Sequence, residues 1–257
     1  DSGYLNWYQQ DWLELVRKLD AMIAKVEATG LSSLSDEALY ALYEEYYTAW
    51  CAEYAPAYIY QDPFSMDAHN YMPPLLEKYI PTGRFQEYYA MLFAPVNESF
   101  INSEKKDLLH ILQEVQRRGL QRKEEILQEF AAPLAEHSKK YFWIENNYAH
   151  TNVLDPAYFA QKIIEELLHG TDAAYEIKKI EDLIRENAQK KAILISQLQL
   201  PPDIVNLIRI AECFTFMQDE RKKYVLISCH YLQRFLEEFS RRIGLPLSEL
   251  RYAVHPE

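Results

Sequence analysis

Two short spacings in the 257-residue chain carry the ligand geometry of a carboxylate-bridged metal centre. Glu166 and His169 are three apart, and so are Asp107 and His110. On a helix, such pairs project side by side, as in the ExxH pairs of di-iron bundles. A complete di-iron site needs two such motifs and a glutamate from each of two further helices. Here one motif carries Asp, and His169 stands beside the Gly170 helix stop, where a cation complements the helix dipole. A di-iron carboxylate enzyme is therefore a distant alternative, and neither metal nor cofactor is expected. HExxH, Walker A and GxSxG patterns do not occur.

A second candidate is a polar interruption in an otherwise apolar helical stripe. The stripe runs Ile204, Leu207, Ile208, Ala211, Phe214 and resumes at Val225, Cys229, Leu232, Phe235, Leu236, Phe239, Ile243. Between them lie Gln218, Asp219, Glu220, Arg221, Lys222 and Lys223. A charge on a core face costs several kcal/mol unless it is paired or faces a cavity. The interruption is either a polar site, with Arg221 or Lys222 meeting an anion, or a solvated or broken stretch of helix. Asp219 has Lys222 and Lys223 as candidate partners along the same helix.

Two aromatic blocks complete the candidates. Tyr40, Tyr43, Tyr47, Trp50, Tyr54 and Tyr58 recur every three or four residues. Such a ridge fills a core or lines a pocket for a flat organic ligand. Tyr141-Phe142-Trp143-Ile144-Glu145-Asn146-Asn147-Tyr148 follows His137 at a helix end. Its two amides can satisfy terminal carbonyls or ligand groups.

Nearly every segment that must position these residues has helical period. Helices are expected over 5–28, from the N-cap Ser35 to about Ala55, and from about Arg84 to Leu92. Others are expected from Asn102 to Arg118, over 121–142 with a kink or break at Pro133, from Ala157 to Gly170, and from Asp172 to about Gln197. The last starts at Pro202 and stops at Gly244. Five prolines between 56 and 82 predict irregular structure with short helical turns. The fold class is all-α, a multi-helix bundle with a long C-terminal helix. It reads as a single helical domain over 1–257, with a candidate subdivision into an aromatic-rich part, 1–97, and a C-terminal bundle, 98–257.

Composition narrows the function. Lys+Arg number 27 against 39 Asp+Glu, a net charge of −12, so neither nucleic acid nor a membrane surface is an expected partner. Six glycines are too few for a turn-rich sandwich or a dinucleotide fold. The three cysteines, Cys51, Cys213 and Cys229, sit among apolar neighbours and read as reduced core residues of a cytoplasmic protein. The chain starts at Asp1 without an initiator Met and ends at Glu257, which suggests a piece excised from a longer polypeptide.

Four segments together resemble the helical region that precedes the swivel domain in phosphoenolpyruvate-utilising enzymes. They are His137 to Tyr148, Asp219-Glu220-Arg221-Lys222, Glu238 to Leu245, and Leu250-Arg251-Tyr252-Ala253-Val254-His255-Pro256-Glu257. Phosphoenolpyruvate synthase-like and rifampin phosphotransferase-like proteins contain such a region, and the resemblance is best over 98–257. It implies a non-catalytic acceptor-binding or positioning role. Arg221, Lys222, Trp143, Asn146 and Tyr148 are the matched positions; Asp219, Asn147, Tyr47 and Trp50 complete the candidate set. The implied partners are ATP-binding and phosphohistidine-carrying swivel domains, in cis or in trans, and a small organic acceptor. The chain has neither the glycine-rich ATP-binding loop nor the Ser/Thr-His swivel signature, so phosphoryl transfer by this chain alone is not expected. The alternative role is a structural scaffold or linker that docks a swivel domain.

Overall fold

The structure is a computed structural model and describes residues 2–56, 68–148 and 150–252. Those residues are all-α, with no strand among them. The helices are α1 (Ser2–Ala28), α2 (Asp36–Pro56), α3 (Ala68–Leu76), α4 (Phe85–Leu92), α5 (Phe100–Arg118), α6 (Lys123–Glu129), α7 (Ala131–Tyr141), α8 (Pro156–Leu168), α9 (Ala173–Gln197), α10 (Pro202–Ile243) and α11 (Leu247–Leu250). Single 3-10 turns stand at Leu31–Ser33 and Thr82–Arg84. No helix is long and apolar enough to cross a membrane, among the described residues.

Local chemistry fixes most boundaries. Ser35 Oγ accepts the Ala38 N–H at 3.2 Å, and Asp155 and Asp172 cap α8 and α9 in the same way. α5 starts at Phe100, with Ser99 as its cap, rather than at Asn102. Both side chains are capping types, but the Phe100 N–H bonds the carboxylate of Asp219, 119 positions away, and this extends the helix. Residues 121–142 break at Phe130, three residues before Pro133. Pro133 thereby falls in the first turn of α7, where a helix has no donor to lose. α3 runs through Pro73 and Pro74 for nine residues, longer than the short helical turns expected within irregular structure there. Its Met72 and Leu76 are fully buried, and that packing overrides two missing backbone bonds. Residues 57–67 of the same stretch, Tyr58 among them, lie outside the described residues.

The chain forms two compact units whose segments interleave. The first comprises Asp1–Ile59, Asn146–Thr151 and Tyr224–Glu257; the second comprises Tyr60–Glu145 and Asn152–Lys223. In the first unit, contacts run from Tyr8 to Pro56, Trp12 to Glu53 and Lys25 to Glu45, so α1 and α2 are antiparallel. The C-terminal half of α10 completes a three-helix bundle. Its Tyr224 and Tyr231 hydroxyls donate to Asp20 and Glu27 of α1, and its Ser228 carbonyl accepts from Tyr46 of α2 at 2.9 Å. At the bundle end, Arg242 donates to Asp36, Glu238 and the Leu31 carbonyl.

In the second unit, Met72, Leu76, Ile80, Leu92, Leu194, Ile204, Ile208 and Ala211 form one core cluster. α9 and the N-terminal half of α10 make a helical hairpin across Leu198–Pro201. The turn is a Schellman motif: the Leu200 N–H bonds the Ile195 carbonyl at 3.3 Å, and the Gln199 N–H bonds Ser196 at 3.2 Å. α5 and α8 end with the same pair of bonds, but with Gly119 and Gly170 at the left-handed position, each at φ 69°. Gln199 holds that position at φ 49° with a Cβ. Gln199→Gly is therefore expected to raise stability by about 0.5–1 kcal/mol, read by urea unfolding with an unchanged slope.

Candidate functional site

The first unit contains a cavity of about 580 Å³, lined in the described residues by Tyr47, Trp50, Cys51, Tyr54, Ala55, Tyr148 and Val225. It brings together three of the side chains expected to bind a flat ligand: Tyr47, Trp50 and Tyr148. The aromatic ridge of α2 divides between two faces. Tyr46, which the spacing did not single out, is completely buried against Tyr231 and Phe235. Tyr43 packs edge-on to Phe235 and Phe239, at 5.7 and 5.5 Å. Tyr40 is exposed. Tyr47 then leads to Trp50, with the rings perpendicular and 6.1 Å apart. Burial pushes the Tyr43 phenol up to about 12, with Tyr47 and Glu44 adding to the shift. Burial also raises Tyr47, helped by Cys51. The Trp50 Nε1–H is buried and has no hydrogen-bond acceptor among the described residues, while Cys51, expected in the core, is exposed.

Tyr148 reaches this cavity from a tight loop. The Asn147 N–H donates to the His150 carbonyl, and the His150 N–H donates to Asn147 Oδ1, both at 2.9 Å. Asn146 is buried, and its Nδ2 donates to the Leu226 carbonyl at 3.1 Å. Tyr148 itself is 81% exposed.

The remaining candidates belong to the second unit. Trp143 is buried in a corner against Phe100, and its Nε1 donates to the Lys140 carbonyl at 2.9 Å. His137 is buried between Tyr141 and Phe159, with Nε2 3.1 Å from Glu104. α10 continues unbroken through 218–223. Met217, which precedes this stretch, is fully buried. Arg221 is half-buried, and Lys222 points to solvent. Among the described residues neither lysine lies within ion-pair distance of Asp219, although the charges of both favour its ionised form: Lys223 bonds Glu220 at 3.0 Å, and Asp219 accepts the Phe100 N–H at 3.3 Å. Burial raises the Asp219 carboxyl above its ordinary value; that backbone bond works against the shift.

The two metal-spaced pairs are occupied locally. Glu166 accepts from the Thr171 hydroxyl at 2.5 Å, and His169 is an exposed helix-end residue. Asp107 accepts from Lys140 at 2.7 Å and from the Tyr141 hydroxyl at 2.8 Å, while His110 is exposed. Among the described residues, no three His, Cys, Asp or Glu side chains gather closely enough to hold a metal ion. No protein-family model matches the chain, and no curated protein or solved structure matches it either.

Burial alone would raise Asp107, but the donors from Lys140 and Tyr141 outweigh it and hold the carboxyl below its ordinary value. A depressed folded-state pKa stabilises the fold above the unfolded value, about 3.9, and this contribution is lost as pH falls through the folded value. Asp107→Asn is accordingly expected to lower Tm at pH 7 and to leave it nearly unchanged at pH 2. Calorimetry across that range measures both.

Proposed function

We propose that this chain is a non-catalytic helical binding domain that holds a flat organic molecule against Tyr47, Trp50, Tyr54 and Tyr148. In a phosphoenolpyruvate-utilising, phosphotransferase-like assembly, that molecule would be the phosphoryl acceptor. ATP-binding and swivel domains would supply the chemistry, and the setting would be cytoplasmic. The observation that carries this reading is the aromatic cavity. Its volume of about 580 Å³ is that of a site for a drug-sized ligand. Among the described residues its walls offer ring faces and edges rather than fixed charge, which favours a planar, largely neutral molecule. The sequence likeness over 137–148, 219–222, 238–245 and 250–257 supports the wider setting.

A second reading, a scaffold that docks a swivel domain, draws on a different observation. The polar atoms of two matched residues are occupied internally: Trp143 Nε1 by Lys140 and Asn146 Nδ2 by Leu226. Those residues hold corners in place.

Titration with N-phenyl-1-naphthylamine, a neutral two-ring fluorophore, separates the two. The binding reading expects a saturable rise in emission. It also expects Tyr148→Ala to weaken the affinity about 3- to 10-fold without changing Tm, because that ring is mostly exposed. Absence of saturable binding favours the scaffold. In either case, phosphorus NMR of the chain mixed with ATP or phosphoenolpyruvate should show no turnover; turnover would refute both.

A further inference from the structure

We infer that the molecule held in the aromatic cavity of the first unit carries a hydrogen-bond acceptor at the edge of its ring system. That acceptor, a carbonyl oxygen or a pyridine-type ring nitrogen, takes the indole N–H of Trp50. The inference rests on the binding reading above and deepens it by naming the polar group the ligand must have.

Tyr47, Trp50, Cys51 and Tyr54 follow one another at i, i+3, i+4 and i+7, so they share one face of α2, and all four line the cavity. Trp50 stands inside this row, about one turn from Tyr47 and one from Tyr54. The Tyr47 hydroxyl and the Cys51 thiol share a hydrogen bond with each other. The Trp50 Nε1–H is shielded from solvent and bonds nothing among the described residues. The two indoles in the protein core are treated differently. Trp12 donates to Glu53 at 3.1 Å, and Trp143 donates to the Lys140 carbonyl at 2.9 Å. The exception is the indole on the cavity wall.

An indole nitrogen can only donate. Buried without an acceptor, it is a standing cost to the fold. A lone water is a poor remedy, because a buried water needs two or more polar partners and this wall is mostly apolar. A planar ligand remedies it by stacking on the tyrosine rings and setting an acceptor at the indole edge. A hydrocarbon of the same shape leaves the donor unpaired, and a ligand N–H at that point sets donor against donor. The cavity therefore discriminates by the presence of an acceptor.

Quinoline and naphthalene have the same two-ring shape and differ by one ring nitrogen, so they are the probes. Each is titrated as a competitor of N-phenyl-1-naphthylamine, against the full chain and against Trp50→Phe, which keeps a ring and removes the N–H. The ratio of quinoline to naphthalene affinity should fall about 5- to 10-fold in the variant, while the fluorophore still binds. Nitrogen–proton correlation spectra of the unaltered protein give a reading that needs no variant. One indole N–H resonance should move downfield with quinoline and not with naphthalene. An unchanged affinity ratio in well-folded Trp50→Phe, or no such movement at saturating quinoline, overturns the inference and leaves the cavity a binding site. Absence of saturable fluorophore binding overturns both.

Discussion

A helix of 42 residues, about 63 Å long, cannot be stable on hydrogen bonds alone and must bury one face along most of its length. α10 meets this constraint in two instalments. Ile204, Ile208, Ala211, Phe214 and Met217 are buried within the second unit. Tyr224, Val225, Ser228, Tyr231 and Phe235 are buried within the first. The polar stretch between them satisfies the same constraint differently. Lys222 faces water, Glu220 and Lys223 pair along the helix, and Asp219 serves as a distant helix cap. A charged interruption is thus accommodated within one continuous helix.

The first unit is specified as much by buried polar bonds as by apolar packing. Tyr46 is fully buried, and its hydroxyl reaches the Ser228 carbonyl. The Trp12 indole donates to Glu53, which is itself inaccessible to solvent. Removing one partner of such a bond leaves a desolvated group at a cost of about 1–3 kcal/mol. A one-position rotation of α2 would break the tyrosine bond and expose Tyr46. The orientation that satisfies it is also the one that turns Tyr47, Trp50 and Tyr54 towards the cavity.

Features set by local chemistry were legible in the sequence. Ser35, Asp155, Asp172, Gly119, Gly170 and Gly244 each mark a boundary through their own side chain or backbone freedom, and all hold. The boundaries that differ depend on distant residues. Ser99 begins α5 because Asp219 supplies an acceptor, and α3 tolerates two prolines because Met72 and Leu76 are drawn into a core. Gln199 imitates a glycine stop with no compositional sign of it. The ridge on α2 was visible as a set of rings. Which ring enters the core was not, since Tyr46 differs from Tyr43 and Tyr47 only in what α10 offers it. Lys191 follows Gln189 and Lys190 and carries no mark of burial in its own neighbourhood. Its burial appears only once Glu212 is placed opposite.

The interleaved order of the segments bears on biosynthesis. The hairpin of α1 and α2 leaves the ribosome before the rest of its unit, and Tyr224, where that unit's share of α10 begins, follows about 165 residues later. At 5–20 residues per second, that is a wait of about 10–30 s. During that interval, the side of Tyr46 that α10 covers in the finished fold has nothing to pack against. The nascent chain therefore presents an aromatic, aggregation-prone surface while the second unit is being translated. Slow translation or a holdase chaperone would act on this fold mainly through α1 and α2.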